Sequence, residues 1–282
     1  MGKTPTVPYK GTKDKKNSEI IFTDLDGTLL DHRTYSFKKA QPALNVIKQH
    51  HIPLVFCTSK TWAETEVYRR KMENQDPFIV ENGGAIYIPC SYFNFQYNTH
   101  FKKAGYQVIE LGTPYEKLRK VLTSIRKEGL EVIGFGDMSP QEIAAETGLP
   151  LKAAQLAKLR EYDEPFRLCH ENDKQKILTL IQKNNLQVVT GGRYFHLMGD
   201  NDKGKAVSTL INLFGRKYGR VTSYGLGDSE NDFTMLEAVD RPYLVQRSDG
   251  SFASNKYPGI QGLGPEGWNS FIMRIFTLPP VF

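Results

Sequence analysis

The sequence predicts an α/β protein with a Rossmann-like parallel sheet, interrupted by a second, inserted α/β unit. Three observations point there. Strand-like runs at 20–23, 53–57 and 78–80 alternate with helix-like stretches near 37–50 and 61–73, which is the order of a parallel sheet covered by helices. That alternation stops after Glu81-Asn82-Gly83-Gly84 and resumes only at Lys203. Two strand-like runs, Ile20-Ile21-Phe22 and Val221 to Leu226, lead directly into acidic turns. A chain of 282 residues also exceeds the usual size of a single core, so two domains are expected.

Between those limits the elements follow from residue type. Ala85 to Pro89 and the aromatic-rich segment Tyr92 to Phe101 suggest antiparallel strands and loops, while Tyr115 to Glu128 and Gln155 to Glu161 suggest helices. Gly134 to Ser139 reads as a loop before a helix Pro140 to Thr147, with Ser139 as its cap. Gln187 to Thr190 and Tyr194 to Met198 are strand-like and flank Gly191-Gly192, a hairpin turn signal. The expected division is 18–86 with 199–282 as the core and 87–198 as the insertion. Residues 1–17 carry Lys3, Lys10, Lys13, Lys15 and Lys16 against Asp14 alone, and such a tail without apolar periodicity is expected to be disordered.

That tail holds most of the net charge of +6, so the charge does not imply a nucleic-acid partner: no recognised binding module is present and the basic residues lack interleaved aromatics. No apolar run approaches a membrane span and the N-terminus lacks a signal-peptide core. Cys57, Cys90 and Cys169 are odd in number and widely spaced, which fits a reducing compartment, so the cytoplasm is the expected location.

The chemistry concentrates at Asp24-Leu25-Asp26-Gly27-Thr28. Carboxylates at i and i+2 of a strand end project to one side. Their repulsion favours a divalent cation, a shared proton or different jobs for the two groups. Asp and Gly also suit a plain turn. A second acidic strand end, Gly227-Asp228-Ser229-Glu230-Asn231-Asp232, is suited to complete an oxygen-ligand site for a hard cation such as Mg²⁺, because strand carboxyl ends gather on one sheet edge. Read alone, that segment also fits a solvated turn with Asp228 or Ser229 capping the helix-like Phe233 to Glu237.

With Thr58 at the end of Pro53 to Cys57, and Lys203 in Asp202-Lys203-Gly204-Lys205-Ala206, these segments make four short motifs in order. The chain thereby resembles the haloacid dehalogenase-like phosphatase superfamily, and the resemblance implies an inserted α/β cap domain over the carboxyl edge of the core. It also implies Asp24 as nucleophile and Asp26 as the acid that protonates the leaving group and then activates water. Mg²⁺ would be held by Asp24, the backbone carbonyl of Asp26, and Asp228, with Asn231 and Asp232 completing or orienting its shell. Thr58 and Lys203 would contact the phosphoryl oxygens, with Lys205 as the rival to Lys203.

Further segments are similar to mannosyl-3-phosphoglycerate phosphatases: Thr58-Ser59-Lys60-Thr61 with Glu64, Glu81 to Ala85, Gly134 to Ser139, Arg160 to Phe166, and Gly191 to His196. This implies a small-molecule sugar phosphate as substrate, while charge distribution and hydropathy give the expectation of no nucleic-acid or membrane partner. The substrate-binding residues it implies are Ser59, Lys60, Asn82, Gly83, Arg167, Thr190, Gly191, Gly192 and Arg193. A phosphoglycerate carries a carboxylate, which arginine meets through two parallel hydrogen bonds, so Arg193 is the first candidate and Arg167 and Lys60 follow. Asp137 and Glu164 suit sugar hydroxyls, whereas His196, between Phe195 and Leu197, reads as a packed strand residue. Two other readings stay open: another sugar-phosphate or glucosyl-3-phosphoglycerate phosphatase, or a phosphomutase, of the same superfamily, and a silent binding protein on the same fold.

Overall fold

The computed structural model describes residues 18–191 and 194–277. The basic tail and the pair Gly192-Arg193 lie outside the described residues. In chain order the elements are β1 (Ser18–Thr23), α1 (Gln41–Gln49), β2 (Leu54–Cys57), α2 (Trp62–Met72), β3 (Phe78–Val80), β4 (Ala85–Pro89), β5 (Phe101–Lys103), β6 (Tyr106–Glu110), α3 (Tyr115–Lys127) and β7 (Val132–Gly134). They continue with α4 (Pro140–Thr147), α5 (Leu151–Ala157), β8 (Asp163–Leu168), α6 (Lys174–Lys183), β9 (Gln187–Gly191) and β10 (Tyr194–Met198). The chain then returns through α7 (Lys203–Tyr218), β11 (Val221–Gly227), α8 (Phe233–Ala238), β12 (Arg241–Gln246), β13 (Gly259–Leu263) and α9 (Gly264–Thr277).

The large sheet has the order β13-β12-β11-β1-β2-β3-β4-β6-β5. Its strands from β13 to β3 are parallel. β1 therefore lies between β2 and β11, so that the chain leaving all three does so at one edge. Side-chain alternation divides the strands between two apolar layers. Ile21, Leu54 and Phe56 face the layer of α1 and α9, built on Ala43, Leu44, Trp268 and Phe271. Ile20, Phe22, Val55 and Cys57 face the layer of α7 and α8, with Val207, Leu210, Phe214 and Leu236. Trp268 Nε1 donates to Thr23 Oγ1 at 3.1 Å, which ties the last helix to the strand that carries Asp24.

β4, β5 and β6 add antiparallel strands to this same sheet. Residues 87–110, expected with the insertion, thus continue the large sheet, and the separate sheet begins at Val132. The reason is geometric: after the turn at Glu81–Gly84 the chain doubles back on β3, whose free edge pairs at once with β4. The separate sheet, β7-β8-β10-β9, is antiparallel. α3 and α6 cover one of its faces through Leu118, Leu122, Ile177 and Ile181.

Two further expectations changed. The helix expected at Gln155 to Glu161 is α5, which starts after Pro150 and ends at Ala157; proline fixes the start of a helix because its missing N–H costs nothing there. Residues 92–100 form no strand. Their rings pack instead, Phe93 lying 5.5 Å from Phe214 of α7 and 5.3 Å from Phe95. No helix among the described residues is long and apolar enough to cross a membrane.

Candidate active site

At the shared edge, β1 ends at Thr23 and the backbone N–H of Asp24 donates to Leu226 O at 2.9 Å. Gly27 turns the chain at φ +75°, and a Cβ there would come within 2.6 Å of Asp228 Oδ2. Only glycine lets this loop and the one after β11 approach so closely. Thr28 Oγ1 donates to Asp228 Oδ1 at 3.3 Å. The Asp232 carboxylate is fixed from behind, accepting the backbone N–H groups of Asp228 and Ser229 through Oδ2 at 3.0 and 3.1 Å.

One carboxylate oxygen from each of Asp24, Asp228 and Asp232 lies within 4.8 Å of the others. Lys203 enters this group from the first turn of α7, whose start is set by Asp202 Oδ1 accepting from the Lys205 N–H at 2.9 Å. Lys203 Nζ donates to Asp24 Oδ1 at 2.8 Å and to Asp232 Oδ1 at 2.6 Å. Lys205, the rival cation, is instead exposed and pairs with Asp200. Burial pushes the Asp24 carboxyl up to about 7 against the pull of Lys203, with repulsion from Asp232 and Asp26 adding to the rise. Burial also raises Asp228 well above the usual carboxylate range, and Asp232 and Asp24 push in the same direction. Two buried acids and the half-buried Asp228 gather around one lysine, which pairs with Asp24 and Asp232, so the group lacks positive charge. Its oxygen-only donors suit a hard divalent cation.

The Asp24 and Asp26 side chains take different partners, although the charge of Asp26 still acts on Asp24. Strand geometry stops at Thr23, so alternation no longer sets their directions, and the Asp26 side chain is not in the three-acid group. Its Oδ2 pairs with Lys60 Nζ at 2.7 Å, and its Oδ1 is buried with no hydrogen-bond partner among the described residues. Asp232, expected to complete or orient a shell, contributes its carboxylate directly to the group. Asn231 is bonded on both sides: Nδ2 donates to Asn82 Oδ1 at 3.1 Å, and Oδ1 accepts from Ser229 Oγ at 2.6 Å.

Thr58 is buried at the end of β2, and its Oγ1 accepts the Lys60 N–H at 3.2 Å. Ser59 offers its carbonyl to Arg160 Nη2 at 3.0 Å. Lys60 is buried between Asp26 and Glu64, and Arg167 pairs with Glu146 at 3.2 Å. Thr190 is exposed on β9, where Gly191 is the last residue, and β9 packs against the turn Glu230–Asp232. Asp137 and Glu164 are both taken by Arg119.

A buried network escaped the sequence reading. Glu81 accepts the backbone N–H groups of Glu161, Tyr162 and Asp163 at 2.8–3.0 Å. Asp163 accepts from Asn82 Nδ2 at 3.0 Å and from Arg160 Nη2 at 2.9 Å, and bonds His196 Nδ1 at 2.8 Å. Asn82 thereby joins the second sheet to the loop of Asn231. The available signal was the density of charge in Arg160 to Glu164 at the end of the predicted helix, since buried charges must be paired.

A parallel sheet with paired acidic loops at its carboxyl edge and a second sheet held against that edge defines the class, and a family model described as haloacid dehalogenase-like hydrolase matches residues 21–139. A phosphatase of the haloalkanoate enzyme superfamily from Bacteroides thetaiotaomicron shares the fold at TM-score 0.64 and 17% identity, covering 98% of this chain and 99% of that one. A protein of Methanococcoides burtonii named glucosyl-3-phosphoglycerate/mannosyl-3-phosphoglycerate phosphatase is 50% identical over 262 residues, which is 91% of this chain and 96% of the relative. The mannosyl-3-phosphoglycerate phosphatase of Pyrococcus furiosus is 41% identical, over 80% of this chain and 90% of its own. The chain belongs to this phosphatase family, and with it to the phosphoric monoester hydrolases.

Proposed function

We propose that this protein hydrolyses mannosyl-3-phosphoglycerate to mannosylglycerate and phosphate through an aspartyl-phosphate on Asp24, with Mg²⁺ as cofactor. The observation that carries the reading is Lys203 lodged among the gathered carboxylates of Asp24, Asp228 and Asp232. Asp24, Asp228 and Asp232 are the side chains that would hold the cation, together with the backbone carbonyl of Asp26. Bound Mg²⁺ supplies positive charge that offsets the repulsion between an anionic nucleophile and an anionic phosphoryl group.

In the first step an Asp24 oxygen attacks phosphorus, and the bond from phosphorus to the glycerate oxygen breaks. Asp26 gives its proton to that oxygen. In the second step Asp26 takes a proton from water, which attacks phosphorus and frees Asp24 and inorganic phosphate. Lys203 keeps one Asp24 oxygen fixed and adds charge beside the phosphoryl group. Thr58 Oγ1 already accepts from Lys60, so its own hydrogen is free for a phosphoryl oxygen.

The glucosyl compound is a second substrate on this reading, favoured by the joint glucosyl and mannosyl name of the relative at 50% identity. The enzyme would meet both in the cytoplasm, with no nucleic-acid or membrane partner. A phosphate-release assay over mannosyl- and glucosyl-3-phosphoglycerate, unglycosylated 3-phosphoglycerate and common hexose phosphates tests the assignment. Preference for a hexose phosphate, or an isomerised sugar phosphate without free phosphate, overturns it.

A further inference from the structure

The second sheet presents different chemistry on its two faces. Across β8 and β10, Phe166 is opposite Phe195 and Glu164 opposite Leu197; Phe166, Phe195 and Leu197 pack into the apolar layer of α3 and α6. Alternation places Asp163 and Pro165 of β8, and His196 and Met198 of β10, on the other face. Asp163 there reaches Asn82 of the large sheet's carboxyl edge at 3.0 Å, so this face is turned toward the active site. His196 sits one step outward from that contact, opposite Pro165.

The imidazole is held but only half used. Nδ1 lies 3.0 and 2.8 Å from the two oxygens of Asp163, a residue fully removed from solvent. The histidine itself is 8% exposed, yet Nε2 has no hydrogen-bond partner among the described residues. The ring is packed, yet Nε2 is not among the buried side-chain atoms left without a partner, so this nitrogen is the part of the residue open to a ligand. The carboxylate on Nδ1 fixes the ring and orients the far nitrogen for a ligand.

We propose that His196 contacts the sugar: held by Asp163, it presents Nε2 to a ring hydroxyl of the glycosyl group. This rests on the reading of the chain as a glycosyl-3-phosphoglycerate phosphatase. The choice of a hydroxyl follows from chemistry. A hydroxyl donates to a neutral imidazole and accepts from a charged one, whereas a carboxylate is satisfied only by the charged form. The surroundings also disfavour an incoming anion: Glu64, Glu81 and Asp163 lie 4.0, 3.7 and 2.9 Å from the guanidinium of Arg160, and Lys60, 3.8 Å from Glu64, is already paired with Asp26. Asp163 is a positioning residue in this scheme.

The test compares kcat/KM for a glycosyl-3-phosphoglycerate with kcat/KM for unglycosylated 3-phosphoglycerate, in the parent enzyme and in His196→Asn. Asparagine keeps a donor for Asp163 near the position of Nδ1 and has nothing at Nε2. The preference for the glycosylated substrate is expected to fall by about tenfold, the worth of one hydrogen bond to substrate. A preference within about threefold of the parent's overturns the assignment. A purely structural role, or a contact to the glycerate carboxylate, lowers both substrates alike and overturns it as well. Should the asparagine variant be insoluble, the ratio in His196→Ala is judged by the same criterion. A parent enzyme that releases no phosphate from either glycosyl compound refutes the proposed function itself, before any variant is made, and this inference with it.

Discussion

Lys60 Nζ lies 2.7 Å from Asp26 Oδ2, while the second oxygen of Asp26 is buried with no hydrogen-bond partner among the described residues. The Lys60 ammonium is buried, with the Tyr35 and Tyr68 rings 5.1 and 5.8 Å from it, whereas Asp26 is partly open to solvent. Although burial opposes it, Asp26 and Glu64 hold the Lys60 ammonium above its ordinary value. One oxygen of the proposed acid is therefore fixed and the other left for the departing alcohol. Lys60→Met is expected to lower kcat by roughly ten- to a hundredfold with a smaller change in KM, as misplacement of a reacting group does. Steady-state kinetics check this, and a kcat near the parent's would remove Lys60 from the positioning of Asp26.

The three acids around Lys203 make a bound cation a stabilising ligand as well as a chemical one. Added Mg²⁺ is expected to raise the melting temperature of the parent, because a ligand of the native state stabilises it by mass action. In Asp228→Asn that rise should shrink or vanish. Chelation of divalent metal should stop hydrolysis, and Asp24→Asn should abolish turnover while the protein still melts cooperatively. Substantial turnover in Asp24→Asn would refute its nucleophilic role.

Gly83 was expected to meet substrate, but its surroundings give it a packing role. Its φ is +88°, and a Cβ would fall 2.1 Å from Asp202 O, the residue that starts the helix of Lys203. Gly83→Ala should lose about 2 kcal/mol or more from backbone strain and overpacking, which is several degrees of melting temperature in a protein of this size. Activity should fall with it as Lys203 shifts. An unchanged melting curve would return Gly83 to the substrate.

Asp137 offers a pH test away from the chemistry. Burial works against its charge, but hydrogen bonds from Arg119, the Gly134 N–H and Arg126 hold its carboxyl well below the usual range. A depressed acid contributes stability above its unfolded value, near 4, and loses that contribution as pH falls toward its folded value. The melting-temperature gap between the parent and Asp137→Asn should be full at pH 6 and narrow steadily below about pH 4. A gap independent of pH would contradict the depressed value.

Local pattern made much of this molecule readable. The alternation of apolar and helix-like runs located β2, α2 and β3 to within a residue at each end and β1 and α1 to within two and four, because each buries a face whose period is written in its own sequence. The capping signal at Ser139 was legible for the same reason, since Ser139 Oγ accepts the Glu142 N–H three residues on. The placement of β4 to β6 was not legible. An antiparallel strand carries the same pattern whether it extends one sheet or begins another, and only the free edge of β3 chose.

By itself the sequence determined the α/β class, the family and the four motif segments, because strand ends and glycine turns are local signals that residue type alone expresses. Tertiary structure decided which side chains those segments bring together. It put Asp232 beside Asp24 and Asp228, turned Asp26 toward Lys60, and joined Asn82, Asp163 and His196 across two sheets. Those choices depend on contacts between residues far apart in the chain, where burial demands that every charge find a partner and only the folded packing says which partner is within reach.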